Sequence, residues 1–238
     1  MDAAFVPLSL PPGGDALVIG ASGGIGAAFL EALRGSPHFA RVISLGRAGT
    51  PPLDLTDEAS IVAAVAALAP LAPRLVIDAT GMLHTAAHMP ERTWRQLDPT
   101  HMAASFAVNA IGPMLLMKHL LPLLPREGKS VFATLSAKVG SIGDNALGGW
   151  YSYRASKAAL NQFVRTAAIE LRRTRPQAVC VALHPGTVAT ALSAPFGKAG
   201  LEVRPPAEAA ARMLAVLDAL GPADSGGFFD YRGAALPW

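Results

Sequence analysis

The stretch Leu17-Val18-Ile19-Gly20-Ala21-Ser22-Gly23-Gly24-Ile25-Gly26 decides the fold of this chain. It runs from an apolar strand through a glycine-rich turn into the start of a helix. Gly20, Gly24 and Gly26 give the spacing GxxxGxG, and glycine permits both a tight turn and a close approach of the backbone to a pyrophosphate. The free N–H groups at the start of the helix favour the same anion. The stretch therefore predicts the phosphate-binding turn of a dinucleotide-binding α/β fold.

Outside this turn, short apolar runs alternate with longer helical patterns. Strands are expected at Asp15–Gly20, Arg41–Gly46, Leu75–Thr80, Lys129–Leu135, Ala178–Leu183 and Gly226–Asp230, with a very short one near Leu53–Leu55. Helices are expected near Gly24–Arg34, Asp57–Leu68, Gln96–Leu121, Tyr151–Arg173 and Pro206–Leu220. The alternation predicts right-handed βαβ crossovers and a Rossmann-type, doubly wound parallel sheet with helices on both faces. No repeat, linker or charge block marks a second domain, so we expect residues 1–238 to form a single domain.

The composition limits the classes of partner. Hydrophobic residues make up 51% of the 238 residues and charged residues 16%, as in a well-packed globular protein. The net charge is only +3, and the one dense basic run, Arg172, Arg173 and Arg175, lies at an expected helix end, where cations favour the helix dipole. No basic stripe with interleaved aromatic residues accompanies this run, so a nucleic-acid partner is not expected.

Three features of the sequence bear on where the protein resides. The one cysteine, Cys180, lies in an apolar run and cannot build a disulfide framework, which fits a reducing compartment. Residues 1–14 lack the basic region of a signal peptide. The most apolar stretch, Ile111–Leu124, is too short and too interrupted by proline, lysine and histidine to span a bilayer. We therefore expect a cytoplasmic protein with no membrane partner.

The glycine-rich turn also permits a different interpretation. Gly20-Ala21-Ser22-Gly23-Gly24 matches G-x-S-x-G, the nucleophile elbow of α/β-hydrolases, and Asp144 and His184 follow in the order that such enzymes need. The elbow would fall on the first strand, however, with little sheet before it. Gly26 would also have no role in a hydrolase. The dinucleotide interpretation is therefore the better one, and the hydrolase remains the alternative.

The end of the second strand indicates which dinucleotide is bound. Arg47 follows Leu45-Gly46 and lies 21 residues after Gly26, where dinucleotide folds meet the adenosine ribose. An acidic residue there binds the 2′-hydroxyl of NAD, whereas an arginine accommodates the 2′-phosphate of NADP. Because a guanidinium pairs strongly with phosphate, we expect NADP(H) to be preferred over NAD(H).

Tyr153-Arg154-Ala155-Ser156-Lys157 is Y-x-x-x-K on an expected helix. Positions i and i+4 share a helix face, so the phenol and the ammonium can flank one site. A tyrosine with a pKa near 10 is a poor acid or base at neutral pH, and a neighbouring ammonium favours the phenolate. We therefore expect Lys157 to lower the pKa of Tyr153. Tyr151 lacks this arrangement, because the residue four positions later is Ala155.

Taken together, these pieces closely resemble the short-chain dehydrogenase/reductase family along nearly the whole chain. The matching pieces occur in family order: Gly20–Gly26, Asp54-Leu55, Gly81, Asn109, Ser136, Tyr153, Lys157 and Pro185-Gly186. Further stretches look like the branch of C-factor-like proteins and Sniffer-type carbonyl reductases: Gly140–Asn145, Gly148–Asn161, Gly227–Tyr231 and Leu236–Trp238. The resemblance implies an enzyme that interconverts a small-molecule carbonyl compound and an alcohol by hydride transfer with NADP(H). It also implies a homodimer or homotetramer, since members commonly pair their two long helices between subunits.

The resemblance implies a role for each matching residue. Tyr153 would protonate the carbonyl oxygen, Lys157 would lower the tyrosine pKa and hold the nicotinamide ribose, and Asn109 would position a water that links Lys157 to solvent. A serine after the strand Lys129–Leu135 would hold the substrate oxygen. The expected catalytic set is Asn109, Ser136, Tyr153 and Lys157. The expected cofactor contacts are Gly20, Ser22, Gly24, Ile25, Gly26, Arg47, Asp54, Leu55, Ala79, Thr80, Gly81, Tyr153, Lys157, Pro185, Gly186, Val188 and Thr190.

The chain departs from the family pattern in two places. At the end of the strand expected at Leu75–Thr80, members often have Asn-Asn-Ala-Gly. This chain has Asp78-Ala79-Thr80-Gly81 there, which keeps the glycine but loses both asparagines. Members often end the next strand in two serines of which the second is catalytic. This chain has Ser136-Ala137, with Ser136 17 residues before Tyr153, a longer spacing than usual. We favour Ser136 in a shifted register and keep Ser141 as the second choice.

Other residues leave the function partly open. His84 and His88 are four apart, but no third ligand is evident nearby, so we expect no metal site. An apolar substrate pocket could be lined by Met82, Leu83, Met89, Trp150 and Phe196. C-factor-like relatives are linked to intercellular signalling, so a signalling or binding protein on the same fold with little catalytic role is the alternative function.

Overall fold

The computed structural model describes residues 5, 7, 9–196 and 202–238. Its strands are β1 (Asp15–Ile19), β2 (Arg41–Leu45), β3 (Pro73–Asp78), β4 (Ser130–Leu135), β5 (Ala178–His184), β6 (Thr187–Val188), β7 (Val203–Arg204) and β8 (Phe228–Asp230). Six of them form one sheet in the order β2-β1-β3-β4-β5-β8, and every neighbouring pair is parallel. The short strands β6 and β7 pair separately. The Rossmann-type parallel sheet predicted from the sequence is confirmed.

Helices cover both faces of the sheet. They are α1 (Gly24–Leu33), α2 (Glu58–Ala67), α3 (Pro99–Phe106), α4 (Gly112–Leu120), α5 (Tyr151–Leu171) and α6 (Pro206–Ala219). One buried core lies under α1 and α6, and the other lies under α2, α4 and α5. Residues of β1 alternate between these cores: Ala16 and Val18 face the first, and Leu17 and Ile19 face the second. A strand buried on both faces needs apolar residues at every position, which explains the continuous apolar run.

The very short strand expected near Leu53–Leu55 does not form, and this prediction was wrong. A single bridge between Gly46 and Pro52 is found there instead. Pro51 and Pro52 carry no N–H group, so this segment cannot extend a ladder beside β2. β2 is therefore the edge strand of the sheet on this side.

The helix expected near Gln96–Leu121 is also different from the prediction. It begins at Pro99, because the Asp98 side chain accepts a hydrogen bond from His101 N and caps the first turn. A π-helical turn, Ala107–Ile111, separates α3 from α4. Pro113 lacks an N–H group and its ring would clash with the carbonyl of Asn109 in a regular helix, so a wider turn precedes it.

The region Pro99–Leu123 is long and apolar enough to cross a membrane by length and composition. Its middle nevertheless packs within the second core, where Leu116, Met117 and Leu120 are completely buried. In this structure the segment is a helical layer of the fold.

The order of the strands places a crevice at one edge of the sheet. The chain runs from β1 outward to β2 and then returns to β3 on the other side of β1, so the winding direction reverses between β1 and β3. In doubly wound sheets ligands bind at the carboxyl ends of the strands beside such a reversal. A cavity of about 1350 Å³ lies there, and Ile25, Tyr153 and Pro185 are among its lining residues.

Candidate active site

The glycine-rich turn after β1 has the geometry that a phosphate-binding turn requires. Gly20 has a φ of +83°, a conformation that L-residues with a side chain rarely adopt. A Cβ atom on Gly26 would lie 2.2 Å from Gly20 O, so any larger residue there would push the turn open. The first turn of α1 begins at Gly24 without a side-chain cap, and Ser22 and Gly24 are exposed. The free N–H groups at this helix end therefore fit a pyrophosphate.

Two expected adenosine contacts lie beyond this turn. Arg47 follows β2 and is exposed. Asp54 accepts hydrogen bonds from the N and Oγ1 atoms of Thr56, which lower the pKa of its carboxyl group, and the charge of Arg47 acts in the same direction. Leu55 is buried beneath Gly112, where a Cβ would lie 2.7 Å from Leu55 Cβ. Arg47 thus lies at the end of β2, as predicted from the sequence. The neighbouring carboxylate of Asp54 is already hydrogen-bonded to Thr56 within a local turn.

Tyr153 and Lys157 lie on the first two turns of α5, and both are buried. The Tyr153 hydroxyl has no hydrogen-bond partner within the described ranges, and the residue lines the cavity. Burial raises the pKa of Tyr153 to about 12. This direction is opposite to the lowering that we expected from Lys157, because desolvation of the buried phenolate is the dominant effect. The phenol is therefore protonated at neutral pH.

Lys157 reaches the edge of the sheet beside the loop after β3. Its Nζ atom donates a hydrogen bond to Leu135 O at 2.8 Å. A Cβ on Gly81 would lie 3.7 Å from that same Nζ atom, so the loop passes directly over the ammonium. Burial lowers the pKa of Lys157 to about 8, and the negative charge of Asp78 opposes the lowering. Lys157 thus remains mostly protonated at neutral pH.

The loop after β3 keeps its shape although both family asparagines are replaced. Asp78 is completely buried, and its Oδ1 atom accepts hydrogen bonds from Thr80 N and Thr80 Oγ1. The N–H group of Ala79 donates to Ile19 O, which holds the loop to β1. The carboxylate and the threonine thus close the turn that holds Ala79 and Thr80 against Gly20 of the glycine-rich turn.

Asn109 sits in the π-helical turn, and its side-chain amide is fully occupied. Oδ1 accepts a hydrogen bond from Met82 N and Nδ2 donates to Met82 O, both at 2.7 Å. Nδ2 also lies 3.1 Å from the hydroxyl of Ser156 on α5. Asn109 therefore clamps the loop after β3 onto α5, next to Lys157. Spacing along the chain does not indicate this contact with the backbone of Met82, which lies 27 positions earlier.

Neither candidate serine makes a hydrogen bond to Tyr153 in this structure. Ser136 is buried, and its hydroxyl donates to Asn161 Oδ1 at 2.6 Å. Ser141 is also buried, and its Oγ atom accepts a hydrogen bond from Asp144 N. Ser136 and Ala137 line the cavity, whereas Ser141 does not. The geometry therefore places Ser136 closer to the reacting region than Ser141.

The segment after β5 closes the opposite wall of the crevice. Gly186 has a φ of +75°, and a Cβ there would lie 2.9 Å from the ring of Tyr231. Val188 is buried in β6, and the Thr190 side chain packs directly over Gly24, leaving 2.8 Å to a Cβ built there. Pro185, Gly186, Val188 and Thr190 line the same cavity as Ile25 of the phosphate turn. The structure thus brings together two segments that were both expected to contact the cofactor.

A residue that the sequence did not single out holds the start of α5. The buried carboxylate of Glu91 accepts hydrogen bonds from the hydroxyl and the N–H group of Ser152, one residue before Tyr153. The side chain of Trp150, the residue preceding α5, packs edge-on against the Tyr153 ring, with centroids 6.2 Å apart. Arg154 donates to three backbone carbonyls of the preceding loop: Gly148, Gly149 and Val139. Segments far apart in the sequence therefore fix the position of the phenol.

Aromatic and apolar side chains form the outer part of the cavity. Phe196 packs edge-on against both Trp150 and His84, with centroids 5.1 and 5.6 Å apart. Leu83, Met89 and Phe196 line the cavity with Trp150, as expected, whereas Met82 does not. His88 stacks on His101 rather than approaching His84.

The residues of the hydrolase alternative are not arranged as a triad. Asp144 pairs with Lys138, with 3.3 Å between Oδ1 and Nζ. The Nδ1 atom of His184 is buried and makes no hydrogen bond within the described part of the chain. Among the described residues, the imidazole of His184 therefore lacks the hydrogen-bonded carboxylate that orients the base in such enzymes.

Comparisons with known proteins agree with this geometry. A family model described as enoyl-(acyl carrier protein) reductase matches residues 31–219. The chain is 33% identical over 231 residues to 1-hydroxy-2-glutathionyl-2-methyl-3-butene dehydrogenase of Rhodococcus sp. (strain AD45), covering 93% of this chain and 98% of that protein. It is 39% identical over 143 residues to C-signal of Myxococcus xanthus, covering 60% of this chain and 81% of that protein. The solved NADPH-bound carbonyl reductase from chicken fatty liver is 29% identical, with a TM-score of 0.79, covering 97% of this chain and 100% of that one.

These similarities extend over the whole described fold. The matched range contains the loop after β3, the π-helical turn, and Tyr153 and Lys157 of α5. A parallel sheet, a glycine-rich turn after its first strand and Y-x-x-x-K on the helix after β4 all fit one family of oxidoreductases. The chain belongs to the short-chain dehydrogenase/reductase family.

Proposed function

We propose that the protein is an NADP(H)-dependent carbonyl reductase or alcohol dehydrogenase in which Tyr153 is the acid and base. The observation that carries the proposal is the Tyr153 hydroxyl, which lines the cavity without a partner among the described residues, one helical turn from the buried ammonium of Lys157. A proton donor at a cavity wall beside a fixed cation suits protonation of a carbonyl oxygen. A bound nicotinamide would supply the hydride.

The remaining steps are carried out by the chain itself. In reduction, Tyr153 is protonated at neutral pH and gives its proton to the substrate oxygen, and Lys157 stabilises the phenolate that remains. Ser136 holds the substrate oxygen after its hydroxyl leaves Asn161, and Asn109 fixes the loop that carries Gly81. The wall formed by Leu83, Trp150 and Phe196 excludes water and favours an apolar substrate.

The cofactor would lie along the crevice from the glycine-rich turn to Tyr153. Gly20, Ser22, Gly24, Ile25 and Gly26 would hold the pyrophosphate, and Arg47 would bind the 2′-phosphate that distinguishes NADP from NAD. Lys157 would hold the nicotinamide ribose. The one solved relative described above contains NADPH, which supports this choice. We further propose that residues 1–238 act as one domain in the cytoplasm.

The test is a screen of aldehydes and ketones that follows NADPH consumption, with Tyr153→Phe as the matched control. Turnover of at least one carbonyl compound by the natural chain, and its loss in Tyr153→Phe, is the expected result. Turnover of a substrate without any nicotinamide cofactor would contradict the proposal.

The similarity to C-signal keeps a signalling or binding role as a second candidate. A protein that no longer needs catalysis could lose Tyr153, Lys157 or Asn109 during evolution. All three are present and lie close together, which favours the enzyme. Tight NADPH binding with no turnover across the screen would favour this second function.

A further inference from the structure

Asp78 is a buried acid that the mechanism above does not use. It is the last residue of β3 and pairs in register with Ile19 of β1 and with Thr134 of β4, so it lies in the middle of the sheet at its carboxyl edge. Its side chain is completely buried. A carboxylate at such a position is costly unless its oxygens are hydrogen-bonded and a positive charge is close.

The hydrogen bonds of Asp78 favour its charged form. Thr134 Oγ1 donates to Oδ2 at 2.6 Å, and Thr80 donates to Oδ1 from its hydroxyl at 2.6 Å and from its N–H group at 3.1 Å. Each oxygen thus has at least one donor. Burial raises the pKa of Asp78, and these donors and the charge of Lys157 act against the rise.

Lys157 in turn needs a negative charge. Its ammonium is buried, and its one hydrogen-bond partner among the described residues is the neutral carbonyl of Leu135. Leu135 follows Thr134 on β4, and Gly81 follows Asp78 by three residues and lies against the ammonium. On its own helix, Lys157 shares a face with the Tyr153 phenol. From the other elements the Asn109 amide and Asp78 face it, and Asp78 is the acid whose charge acts on it.

We propose that Asp78 is a positioning residue that acts through Lys157: its carboxylate, fixed by Thr80 and Thr134, is the counter-charge that keeps the buried ammonium protonated. The inference rests on the proposed function for its catalytic consequence. Without the carboxylate, Lys157 would lose its proton near neutral pH, and Tyr153 would lose the cation that stabilises its phenolate. The aspartate in place of the family asparagine would thus widen the pH range in which the site works.

The decisive measurement is the titration of Lys157 itself. The chain has five lysines, so ¹³C-lysine NMR gives few side-chain signals, and Lys157→Ala assigns the one of interest. Asp78→Asn keeps the shape and an oxygen acceptor for Thr80 but removes the charge. We expect the pKa of Lys157 to fall by about one to three units, as for the loss of a close opposite charge.

A second variant tests the proposal independently, in case Asp78→Asn does not fold. Thr134→Val removes the donor to Oδ2 and makes the carboxylate easier to protonate, so the pKa of Lys157 should move the same way by a smaller amount. Ser130→Ala is the control, because Ser130 is buried on the same strand and its hydroxyl has no partner within the described ranges. It should leave the Lys157 titration unchanged.

The functional consequence is read from pH profiles. The loss of NADPH affinity and of kcat/KM in Asp78→Asn should be at least about fivefold larger near pH 8 than near pH 6, because a lower pKa reduces the charged fraction of Lys157 most strongly above that pKa. In a Lys157→Ala background, Asp78→Asn should have no further pH-dependent effect.

The outcomes separate the two proposals. An unchanged Lys157 titration in a folded Asp78→Asn variant overturns the role of Asp78, as does a loss of affinity that is equal at every pH. A natural chain that neither binds nor oxidises NADPH overturns the proposed function, whereas the lysine titration still decides the role of Asp78.

Discussion

At the scale of single residues, the proposed reaction depends on two side chains that act together, Tyr153 and Lys157. In the proposed mechanism Tyr153 provides the proton and Lys157 the charge, and both side chains are buried at one edge of the sheet. Burial moves the pKa of the phenol up and that of the ammonium down, to about 12 and about 8. The neutral phenol suits carbonyl reduction, and the reverse reaction requires the cation to offset the cost of a buried phenolate.

The first prediction concerns this pair. Tyr153→Phe removes the transferable proton and keeps the ring, so kcat should fall by about 10² to 10⁴ while NADPH affinity changes little. Lys157→Ala should lower both kcat and NADPH affinity, because in the proposed mechanism the ammonium also holds the nicotinamide ribose. The double variant should be hardly worse than the worse single variant. Steady-state kinetics and fluorescence titration measure these quantities, and effects that simply multiply would place the acid elsewhere.

The second prediction concerns Arg47. The exposed guanidinium after β2 should make NADPH bind more tightly than NADH, because it pairs with the 2′-phosphate. Arg47→Ala should weaken NADPH binding by about tenfold or more, in line with the loss of a charge-assisted hydrogen bond, and leave NADH binding nearly unchanged. Fluorescence titrations with both cofactors measure the preference. If the ratio of NADPH affinity to NADH affinity does not change in Arg47→Ala, Arg47 does not bind the 2′-phosphate.

At the scale of elements, the start of α5 determines where the phenol lies. The helix has no cap from its own preceding residue, and Glu91 supplies one from a segment 61 residues earlier. A negative charge at this end also suits the helix dipole. We therefore expect the position of Tyr153 to depend on the loop that carries Glu91.

The third prediction follows from this contact. Glu91→Ala should lower the free energy of unfolding by about 1 to 2 kcal/mol, as for loss of a helix cap, and reduce kcat more than it changes NADPH affinity. Glu91→Gln keeps the acceptor for Ser152 and should recover most of both losses. Denaturant unfolding and kinetics of the two variants provide the comparison. Equal kcat in Glu91→Ala and the natural chain would show that this cap does not position Tyr153.

The elements were largely predictable from the sequence, and the contacts between them were not. Strands buried on both faces and long amphipathic helices leave a clear apolar pattern, so the sheet was expected correctly. Two predicted elements were wrong because local chemistry acts against the apolar pattern. Prolines precede Leu53 and prevent a strand, and the Asp98 cap starts α3 later than expected. The bond of Ser136 to Asn161 and that of Glu91 to Ser152 join residues 25 and 61 positions apart, which spacing alone does not reveal.

At the scale of the whole molecule, the helices of the second core leave apolar side chains uncovered. Ile111, at the end of the π-helical turn, and Ile169, near the end of α5, are 49% and 52% exposed. A second copy could cover both faces. The expectation of a homodimer or homotetramer therefore stands as our fourth prediction, and light scattering at micromolar concentration measures it. A monomer under these conditions would contradict it.

The fifth prediction concerns stability against acid. Burial lowers the pKa of His184 to about 4 from its usual 6.5, and Asp230 and Asp144 oppose the lowering only in part. Between these values the unfolded chain binds a proton that the folded chain does not, so the free energy of unfolding should fall by about 1.4 kcal/mol per pH unit as the pH drops from 6.5 to 4.

Denaturant unfolding at several pH values tests this slope. His184→Gln cannot take up the proton, so its stability should decline less steeply over the same range. Parallel slopes for the two proteins would assign the acid sensitivity to other groups.

The π-helical turn has a consequence for how the sequence can change during evolution. Each residue added to or deleted from a helix rotates everything after it by about 100° around the axis. Deleting one residue from Ala107–Ile111 would turn Asn109 away from the loop it clamps or turn Leu116 and Leu120 out of the core. Length changes are therefore expected to accumulate in the loop between Ser136 and Tyr153, which is already longer than usual, and to be absent from this turn.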